Sequence, residues 1–172
     1  VPGRPRPVSP DVESPMKVPL LDLKAQLNTI ESEVKQAVLD VIDSTRYIMG
    51  PRVEELENAV AQYCNARCAV GVTSGTDALL MCLMALDVGP GDFVITPTYS
   101  FFATAGVVAR LNATPVFLDV DPKTYNLDPN ALRQWLDANP DKIRRVKAVI
   151  PVHLYGQCAD MDAINTLSLI HI

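Results

Sequence analysis

From Cys68 onward, short runs of continuously apolar residues alternate with stretches of helical periodicity. The apolar runs cover residues 69–73, 93–97, 115–120 and 146–153. The helical stretches cover residues 76–86, 100–111, 130–139 and 160–165. Continuous apolar strands are buried on both faces, and strands separated by helices pair in parallel through right-handed crossovers. The alternation therefore predicts an α/β fold built on a parallel sheet.

Two amphipathic helices are predicted to precede the sheet. In residues 20–46 apolar side chains recur every three or four positions between charged ones. These apolar residues are Leu27, Ile30, Val34, Val38, Val41 and Ile42. Pro51 suits the first turn of a second helix, whose apolar stripe is Val53, Leu56, Val60 and Tyr63. An N-terminal helical arm is expected.

The first predicted strand and the helix after it meet at Ser74, Gly75 and Thr76. The first N–H groups of a helix have no partner within the helix and lie at the positive end of its dipole, so they favour a phosphate. Gly75 lets the main chain approach an anion closely, and the hydroxyls of Ser74 and Thr76 can cap the helix or donate to phosphate oxygens. The alternative is an ordinary capped turn. The junction is a candidate site for a phosphorylated cofactor.

Ligands of open α/β sheets bind beyond the carboxyl ends of the strands. The segments that follow the four predicted strands are residues 74–77, 98–102, 119–121 and 153–157, and we expect them to line one pocket. The second segment contains Tyr99, Phe101 and Phe102, and one such ring can stack on a flat heteroaromatic cofactor. The alternative assigns all three rings to the core, which we expect for at least one of them.

Two further groups near the strand ends have a chemical and a structural interpretation. Asp119 and Asp121 resemble paired carboxylates that hold a divalent ion in nucleotide-sugar transferases, but they also suit the capping of the turn before Pro122. His153 is a candidate acid–base group, although a hydrogen-bonded interior histidine is the more common case. The chain has no Walker lysine and no G-x-G-x-x-G motif. A phosphate cradle of this kind with a stacking aromatic is compatible with pyridoxal phosphate.

Charge and composition bound the partners. The formal net charge is −5, from 15 basic and 20 acidic residues, so we expect neither a nucleic-acid nor a membrane partner. Cys64, Cys68, Cys82 and Cys158 have no paired C-x-x-C spacing, so free thiols are expected. Neither histidine has a metal-ligand spacing, and no metal is predicted. No apolar stretch is as long as a membrane span, and the N-terminus has prolines and charges where a signal peptide has its apolar region, so we expect a cytoplasmic protein.

Both ends of the chain differ from the rest. Residues 1–15 contain five prolines and no hydrophobic periodicity, so we expect a disordered or non-native leader, with the native protein starting at Met16. Residues 167–172 read LSLIHI, which matches one reading frame of a common sequencing-library adapter. We expect these six residues to be a non-native read-through tail and the native gene to continue past residue 165 or 166.

Six blocks of the chain, in order, resemble the N-terminal half of the DegT/DnrJ/StrS family of sugar aminotransferases. They read MKVPLLDLKAQ, YIMGPRVEELENAVAQY, VGVTSGTDALLMCLMAL, GPGDFVITPTYSFFATA, ATPVFLDVDPKTYNLDP and IPVHLYGQCADMDAI. The resemblance implies part of the three-layer major domain of a fold type I pyridoxal-phosphate enzyme, over residues 16–166. Such an enzyme is usually a homodimer and transfers an amino group from an amino acid such as glutamate to a keto-sugar nucleotide.

The resemblance also implies roles for individual residues. Gly75 and Thr76 correspond to the pair that binds the cofactor phosphate, with Ser74 and Asp77 adjoining them, and Phe101 corresponds to the aromatic that stacks on the pyridine ring. The family's aspartate for the pyridine nitrogen and its Schiff-base lysine belong to later blocks. None of the six lysines here occupies that motif: Lys17, Lys24, Lys35, Lys123, Lys142 and Lys147. We therefore expect a truncated and inactive N-terminal fragment, with no catalytic residue of its own.

The sequence leaves three alternatives to an aminotransferase open. A pyridoxamine-phosphate-dependent sugar dehydratase of the same family differs by a histidine in place of the lysine, at a position outside these blocks. A metal-dependent glycosyltransferase would use Asp119 and Asp121. A non-catalytic regulator or scaffold would keep the fold without the catalytic groups.

Overall fold

The computed structural model describes residues 18–170, with side-chain burial described through residue 167. The chain forms two compact units, which divide between Val70 and Gly71. The predicted leader, residues 1–15, lies outside the described residues. Within residues 18–170 no helix combines the length and the apolar character needed to cross a membrane.

The first unit contains the two predicted helices, α1 (Leu23–Ser44) and α2 (Pro51–Tyr63). The carboxylate of Asp22 caps α1 by accepting the N–H of Ala25 at 2.9 Å, and Pro51 occupies the first turn of α2. Neither helix buries a side chain within the described residues. The predicted N-terminal helical arm is confirmed, and its apolar stripes are exposed.

An arginine joins the two helices of the arm. Arg52 on α2 contacts Asp40 on α1 (Nη2 to Oδ2, 3.1 Å) and Glu55 one turn further on α2 (Nη1 to Oε2, 2.9 Å). The hydrogen bond and charge of Glu55, and then the charge of Asp40, raise the pKa of the Arg52 guanidinium. Because all three side chains are exposed, water and salt screen these ion pairs, and they contribute little to stability.

The second unit is an α/β domain. Its elements are α3 (Gly75–Ala85), β1 (Phe93–Pro97), α4 (Ala103–Arg110), β2 (Thr114–Leu118), α5 (Pro129–Ala138), a 3-10 turn (Ile143–Arg145), β3 (Val146–Val149), a second 3-10 turn (Leu154–Gly156) and α6 (Met161–Ile170). The strands pair in parallel in the order β2-β1-β3. Both features confirm the α/β class and the parallel sheet.

Consecutive residues of the central strand β1 pack against opposite layers of helices. Ile95 belongs to an apolar cluster with residues of α5 and α6, including Leu132 and Ile164. Val94 belongs to a second cluster with residues of α3 and α4, including Leu83. Val94 and Ile95 are both completely buried. The sheet is therefore covered on both faces, and the three-layer arrangement is confirmed.

The strand predicted at residues 146–153 is too long, because β3 ends at Val149. The N–H of Ile150 still donates to the carbonyl of Ile95 at 2.8 Å, but Pro151 has no N–H to continue the ladder. Val152 then adopts φ 52°, which leaves the extended conformation. Hydrophobicity continues along this segment after the sheet geometry has ended.

The strand predicted at residues 69–73 is also wrong, since the sheet of the described residues consists of β1, β2 and β3 alone. Val70 is 70% exposed and Val72 is 38% exposed. A strand requires a neighbour with free backbone groups along its length, and the apolar character of this run does not supply one. The run is irregular up to the start of α3.

The last described helix extends beyond its predicted range of residues 160–165. α6 runs from Met161 to Ile170, and Leu167 is buried in the cluster that contains Ile95. Residues 171–172 lie outside the described residues. That the last six residues are a read-through tail is a statement about the gene, and it stays a prediction.

We expect Gly50→Ala to destabilise the first unit. An added Cβ would lie 2.4 Å from the carbonyl oxygen of Arg46, and the backbone must shift to relieve this contact. Overpacking of this kind costs about 1–3 kcal/mol. The change is measured by circular dichroism during thermal unfolding. Gly75→Ala is the matched control, because its Cβ would meet no atom within 4 Å. Equal unfolding temperatures for the two variants would contradict the prediction.

Candidate cofactor site

The N-terminus of α3 has the local geometry predicted for an anion site. Ser74 is extended, with φ −163°, and its hydroxyl accepts the N–H of Asp77 at 3.1 Å, so it caps the helix. The carbonyl of Ser74 accepts the N–H of Ala78 at 2.9 Å. Among the described residues, no protein acceptor takes the N–H groups of Gly75 and Thr76. Two main-chain donors at the positive end of the helix dipole are thus available to a ligand.

Nothing in the described fold requires glycine at position 75. Its φ lies outside the left-handed region, and an added Cβ would meet no atom within 4 Å. The absence of a side chain leaves open space directly at the two available donors. A phosphate that approaches the main chain closely fits this space. The start of α3 from Ser74 to Asp77, called the phosphate cradle below, therefore suits the phosphate group of pyridoxal phosphate.

Asp77 points back along the chain. Its Oδ2 accepts a hydrogen bond from the hydroxyl of Thr73, which ties the irregular segment before α3 to the first turn of the helix. A carboxylate in the first turn is also favourable to the helix dipole. Because a carboxylate repels a phosphate, the role that suits Asp77 is to stabilise the first turn of α3 and not to contact the phosphate.

A cleft of about 530 Å³ brings together residues from α3, the end of β1, α4 and the segment after β3. Of the five predicted cofactor residues, Gly75, Thr76 and Phe101 line it, whereas Ser74 and Asp77 do not. The full lining is Gly75, Thr76, Leu79, Ser100, Phe101, Ala103, Thr104, Val152, His153, Leu154 and Tyr155. Three of the four segments predicted to line one pocket therefore contribute to it. The exception is residues 119–121.

The three aromatic side chains after β1 are all exposed: Tyr99 by 48%, Phe101 by 77% and Phe102 by 84%. The expectation that at least one of them belongs to the core is wrong. The chain leaves the sheet at Pro97 and α4 begins at Ala103, so these rings lie on the connecting turn beyond the reach of both apolar clusters. Of the two phenylalanines, only Phe101 lines the cleft.

His153 lies on the cleft and is exposed, so the interior alternative does not apply. Its Nδ1 accepts the N–H of Ala159 at 3.1 Å, which leaves Nε2 as the protonated nitrogen of the neutral ring. Sequence reasoning missed Val152 and Thr104 as lining residues. Thr104 follows Ser100 by four positions, and their hydroxyl oxygens are 2.7 Å apart, so that spacing was the available signal.

Asp119 and Asp121 cap the turn that follows β2. Oδ1 of Asp119 accepts the N–H of Val120 at 2.9 Å, and Oδ1 of Asp121 accepts the N–H groups of Lys123 at 2.8 Å and Thr124 at 2.9 Å. The bond from Thr124, and then that from Lys123, lowers the pKa of the Asp121 carboxyl. Within residues 18–170 no group of three or more His, Cys, Asp or Glu side chains is arranged to hold a metal. The capping interpretation is confirmed.

All four cysteines are free and exposed. Cys82 lies on the apolar helix α3, and its side chain is exposed. The predicted free thiols are confirmed.

We expect Asp121→Asn to destabilise the domain at neutral pH and not in acid. The folded-state pKa of Asp121 is lowered below its unfolded value of about 3.9, so its stabilisation is complete above that value and is lost as the pH falls through the folded-state pKa. Urea unfolding at a series of pH values from 7 down to 2 measures the difference in free energy of unfolding between the variant and the unchanged chain. Asp137→Asn on the exposed side of α5 is the matched control. A difference for Asp121→Asn that persists unchanged in acid would contradict the prediction.

Comparison with known proteins gives a consistent result. Residues 28–171 match the DegT/DnrJ/EryC1/StrS aminotransferase family. A UDP-2-acetamido-2-deoxy-3-oxo-D-glucuronate aminotransferase from Pseudomonas aeruginosa is 46% identical over 151 residues, which cover 88% of this chain and 40% of that protein. A Geobacillus stearothermophilus protein named a pleiotropic regulatory protein is 44% identical over 156 residues, which cover 91% of this chain and 40% of that protein.

Among solved structures, Streptomyces venezuelae DesV in complex with a ketimine intermediate superposes with a TM-score of 0.82 and 41% identity, over 90% of this chain and 40% of that chain. The chain thus spans about 40% of the length of these relatives. The family match extends over most of the chain and includes both compact units. The fold, the parallel sheet and the matched residues together show that this chain belongs to the DegT/DnrJ/EryC1/StrS aminotransferase family.

Proposed function

We propose that this chain is the cofactor-phosphate-binding part of a pyridoxal-phosphate-dependent aminotransferase. The enzyme transfers an amino group from an amino acid, with glutamate as the expected donor, to a keto-sugar nucleotide. The proposal extends to this chain the activity of its relatives, among them an aminotransferase that acts on a UDP-linked 3-oxo sugar.

One observation carries the proposal. The two available N–H groups at the start of α3 and the exposed ring of Phe101 line the same cleft, with no side chain on Gly75 between the donors and the open space. A phosphorylated ligand with a flat ring needs both features, and an ordinary capped turn needs neither. Asp119 and Asp121, on which the glycosyltransferase alternative rests, accept backbone N–H groups of their own turn.

Each residue of the cradle has a separate task. The N–H groups of Gly75 and Thr76 donate to the phosphate, while the Ser74 hydroxyl is engaged in capping and keeps the first turn of α3 in place. Asp77 holds Thr73 and so orders the approach to that turn. Phe101 covers one face of the cofactor ring and excludes water from it. The hydroxyls of Ser100 and Thr104 give the cleft a polar side.

Bound pyridoxal phosphate would supply an electron sink for the transfer of the amino group. Within residues 18–170 no lysine lines the cleft, so the chain provides the phosphate and ring contacts without a Schiff-base partner. We propose that the 172-residue chain binds the cofactor but does not transaminate alone. A homodimer in the cytoplasm is part of the same proposal. The exposed apolar stripe of α1, with Leu27 at 44%, Val34 at 40% and Val38 at 53%, supports an interface there.

We expect the chain to bind pyridoxamine 5′-phosphate in isothermal titration calorimetry. This probe carries the phosphate and the ring but has no aldehyde, so it cannot form adducts with surface lysines. Pyridoxamine without the phosphate should bind about 10-fold to 100-fold more weakly, because charge-assisted hydrogen bonds contribute about 1.5–3 kcal/mol. Equal affinity for the two compounds, or no binding of either, would refute the proposed site.

We expect Gly75→Ala to weaken pyridoxamine 5′-phosphate binding about 10-fold without lowering stability. The added methyl group meets no protein atom, so its effect is confined to the space assigned to the phosphate. Gly89→Ala is the matched control, since its Cβ also meets no atom within 4 Å and Gly89 lies outside the cleft. The same affinity for both variants would place the phosphate elsewhere.

We expect Phe101→Leu to weaken binding of the same probe about 2-fold to 10-fold, because an aromatic stack contributes about 0.5–1.5 kcal/mol beyond its area. Phe102→Leu is the matched control, because Phe102 is also exposed and does not line the cleft. Calorimetric titration of the two variants side by side measures the difference. A larger loss of affinity for Phe102→Leu than for Phe101→Leu would show that the assignment of the stack to Phe101 is wrong.

A further inference from the structure

The side chain of Asn126 is 2% exposed, although it lies in the loop between β2 and α5. The loop is closed by its own backbone: the N–H of Asp121 donates to the carbonyl of Asn126 at 2.9 Å, and Val120 pairs with Leu127 in an isolated antiparallel bridge. Burial of a carboxamide is costly unless its donors and acceptors are satisfied, so the partners of this side chain identify its purpose.

Both ends of the Asn126 carboxamide bond to one distant turn. Nδ2 donates to the carbonyl of Gln157 at 3.0 Å, and Oδ1 accepts the N–H of Leu154 at 3.2 Å. These partners are the first residue of the 3-10 turn Leu154–Gly156 and the residue that follows the turn, 28 and 31 residues away in sequence. The side chain therefore acts as a clamp across the base of that turn, in the manner of a backbone peptide group.

The clamped turn has an unfavourable backbone. Val152 has φ 52° and Tyr155 has φ 50°, and the left-handed region is rarely occupied by residues with a Cβ, least of all by β-branched ones. Such conformations persist only where the surroundings hold them. Within the turn, Gly156 N–H donates to the carbonyl of His153 at 3.2 Å and Gln157 N–H donates to that of Leu154 at 3.0 Å. The two bonds from Asn126 add a restraint from outside the turn.

This turn and the residues before it form one wall of the cleft, through Val152, His153, Leu154 and Tyr155. We propose that Asn126 is a positioning residue: its buried carboxamide holds residues 152–157, including the left-handed Val152 and Tyr155, and so fixes the wall of the cleft that faces a ligand. The part of this inference that concerns the ligand rests on the proposed function. The part that concerns the turn does not, and the two are tested separately.

The first test needs neither a variant nor a ligand. In the chain as it exists, amide exchange followed by NMR should show the side-chain Nδ2 protons of Asn126 protected by at least 10-fold relative to those of Asn130, whose side chain is exposed. Exchange at Asn126 as fast as at Asn130 would overturn the proposal. This measurement keeps the inference testable even if substitutions at position 126 prevent folding.

The second test uses Asn126→Asp, which retains Oδ1 but removes the donor to Gln157 and adds a charge at a buried site. We expect the N–H groups of Gly156 and Gln157, whose hydrogen bonds close the turn, to exchange at least 10-fold faster, while Ile150, whose N–H bonds to β1, remains unchanged. Asn130→Asp is the matched control and should alter none of them. No acceleration at Gly156 and Gln157, or an equal acceleration at Ile150, would show that Asn126 does not act locally on the turn.

A spectroscopic readout separates positioning from general destabilisation. The hydrogen bond and charge of Tyr155, then burial and the charge of Tyr125, raise the pKa of the Tyr99 hydroxyl. If Asn126 positions Tyr155, we expect the pKa of Tyr99 to fall back toward its ordinary value in the uncharged variant Asn126→Ala, and to do the same in Tyr155→Phe. Ultraviolet titration of the phenolate measures this shift, and a Tyr99 pKa that stays raised in the folded variant would overturn the proposal.

The last test concerns the ligand. We expect Asn126→Asp to bind pyridoxamine 5′-phosphate at least 5-fold more weakly than the unchanged chain, with Asn130→Asp unchanged. If the unchanged chain does not bind the probe, the proposed function fails while the exchange and titration results still decide the role of Asn126. If the unchanged chain binds and Asn126→Asp binds equally well, the clamp has no effect on the site and that part of the inference is wrong.

Discussion

Burial of β1 on both of its faces is the constraint on which the second unit depends. Val94 and Ile95 are adjacent and completely buried, so each face of the sheet must be covered by its own layer of helices. Parallel pairing of β1 with β2 and β3 then brings the carboxyl ends of three strands to one edge. The cleft lies at this edge because the segments that leave the strands there have no place in either apolar cluster.

The cleft combines one locally determined element with one that depends on distant contacts. At the start of α3, the Ser74 cap and the bare backbone of Gly75 follow from residues adjacent in the chain. The wall from residue 152 to residue 155 is different, because its left-handed conformations are supported by Asn126, about thirty residues earlier. A ligand in the cleft would thus contact a preformed helix terminus on one side and a clamped turn on the other.

The errors in the predicted elements have a common origin. The predicted range of β1 is correct to the residue, because the apolar run in the sequence coincides with the buried residues of the strand. The runs at 69–73 and 146–153 are as apolar, yet one does not join the sheet and the other leaves it at Val149. Hydrophobicity reports that a segment avoids water, but strand pairing also requires a neighbouring backbone, which is a non-local property. The same limit applied to Phe101 and Phe102, whose exposure no local pattern indicated.

The sequence by itself determined the class of fold, the order of helices and strands from α3 onward, the cap of α3 and the family. These follow from periodicity, turn chemistry and short motifs, which act over a few residues. Only the tertiary structure decided that Gly75 and Phe101 share one cleft, that Asp119 and Asp121 cap a turn, and that Asn126 holds the far wall. Such facts depend on which backbone groups meet after the chain has folded, because a buried polar side chain takes its role from partners that lie far away in sequence.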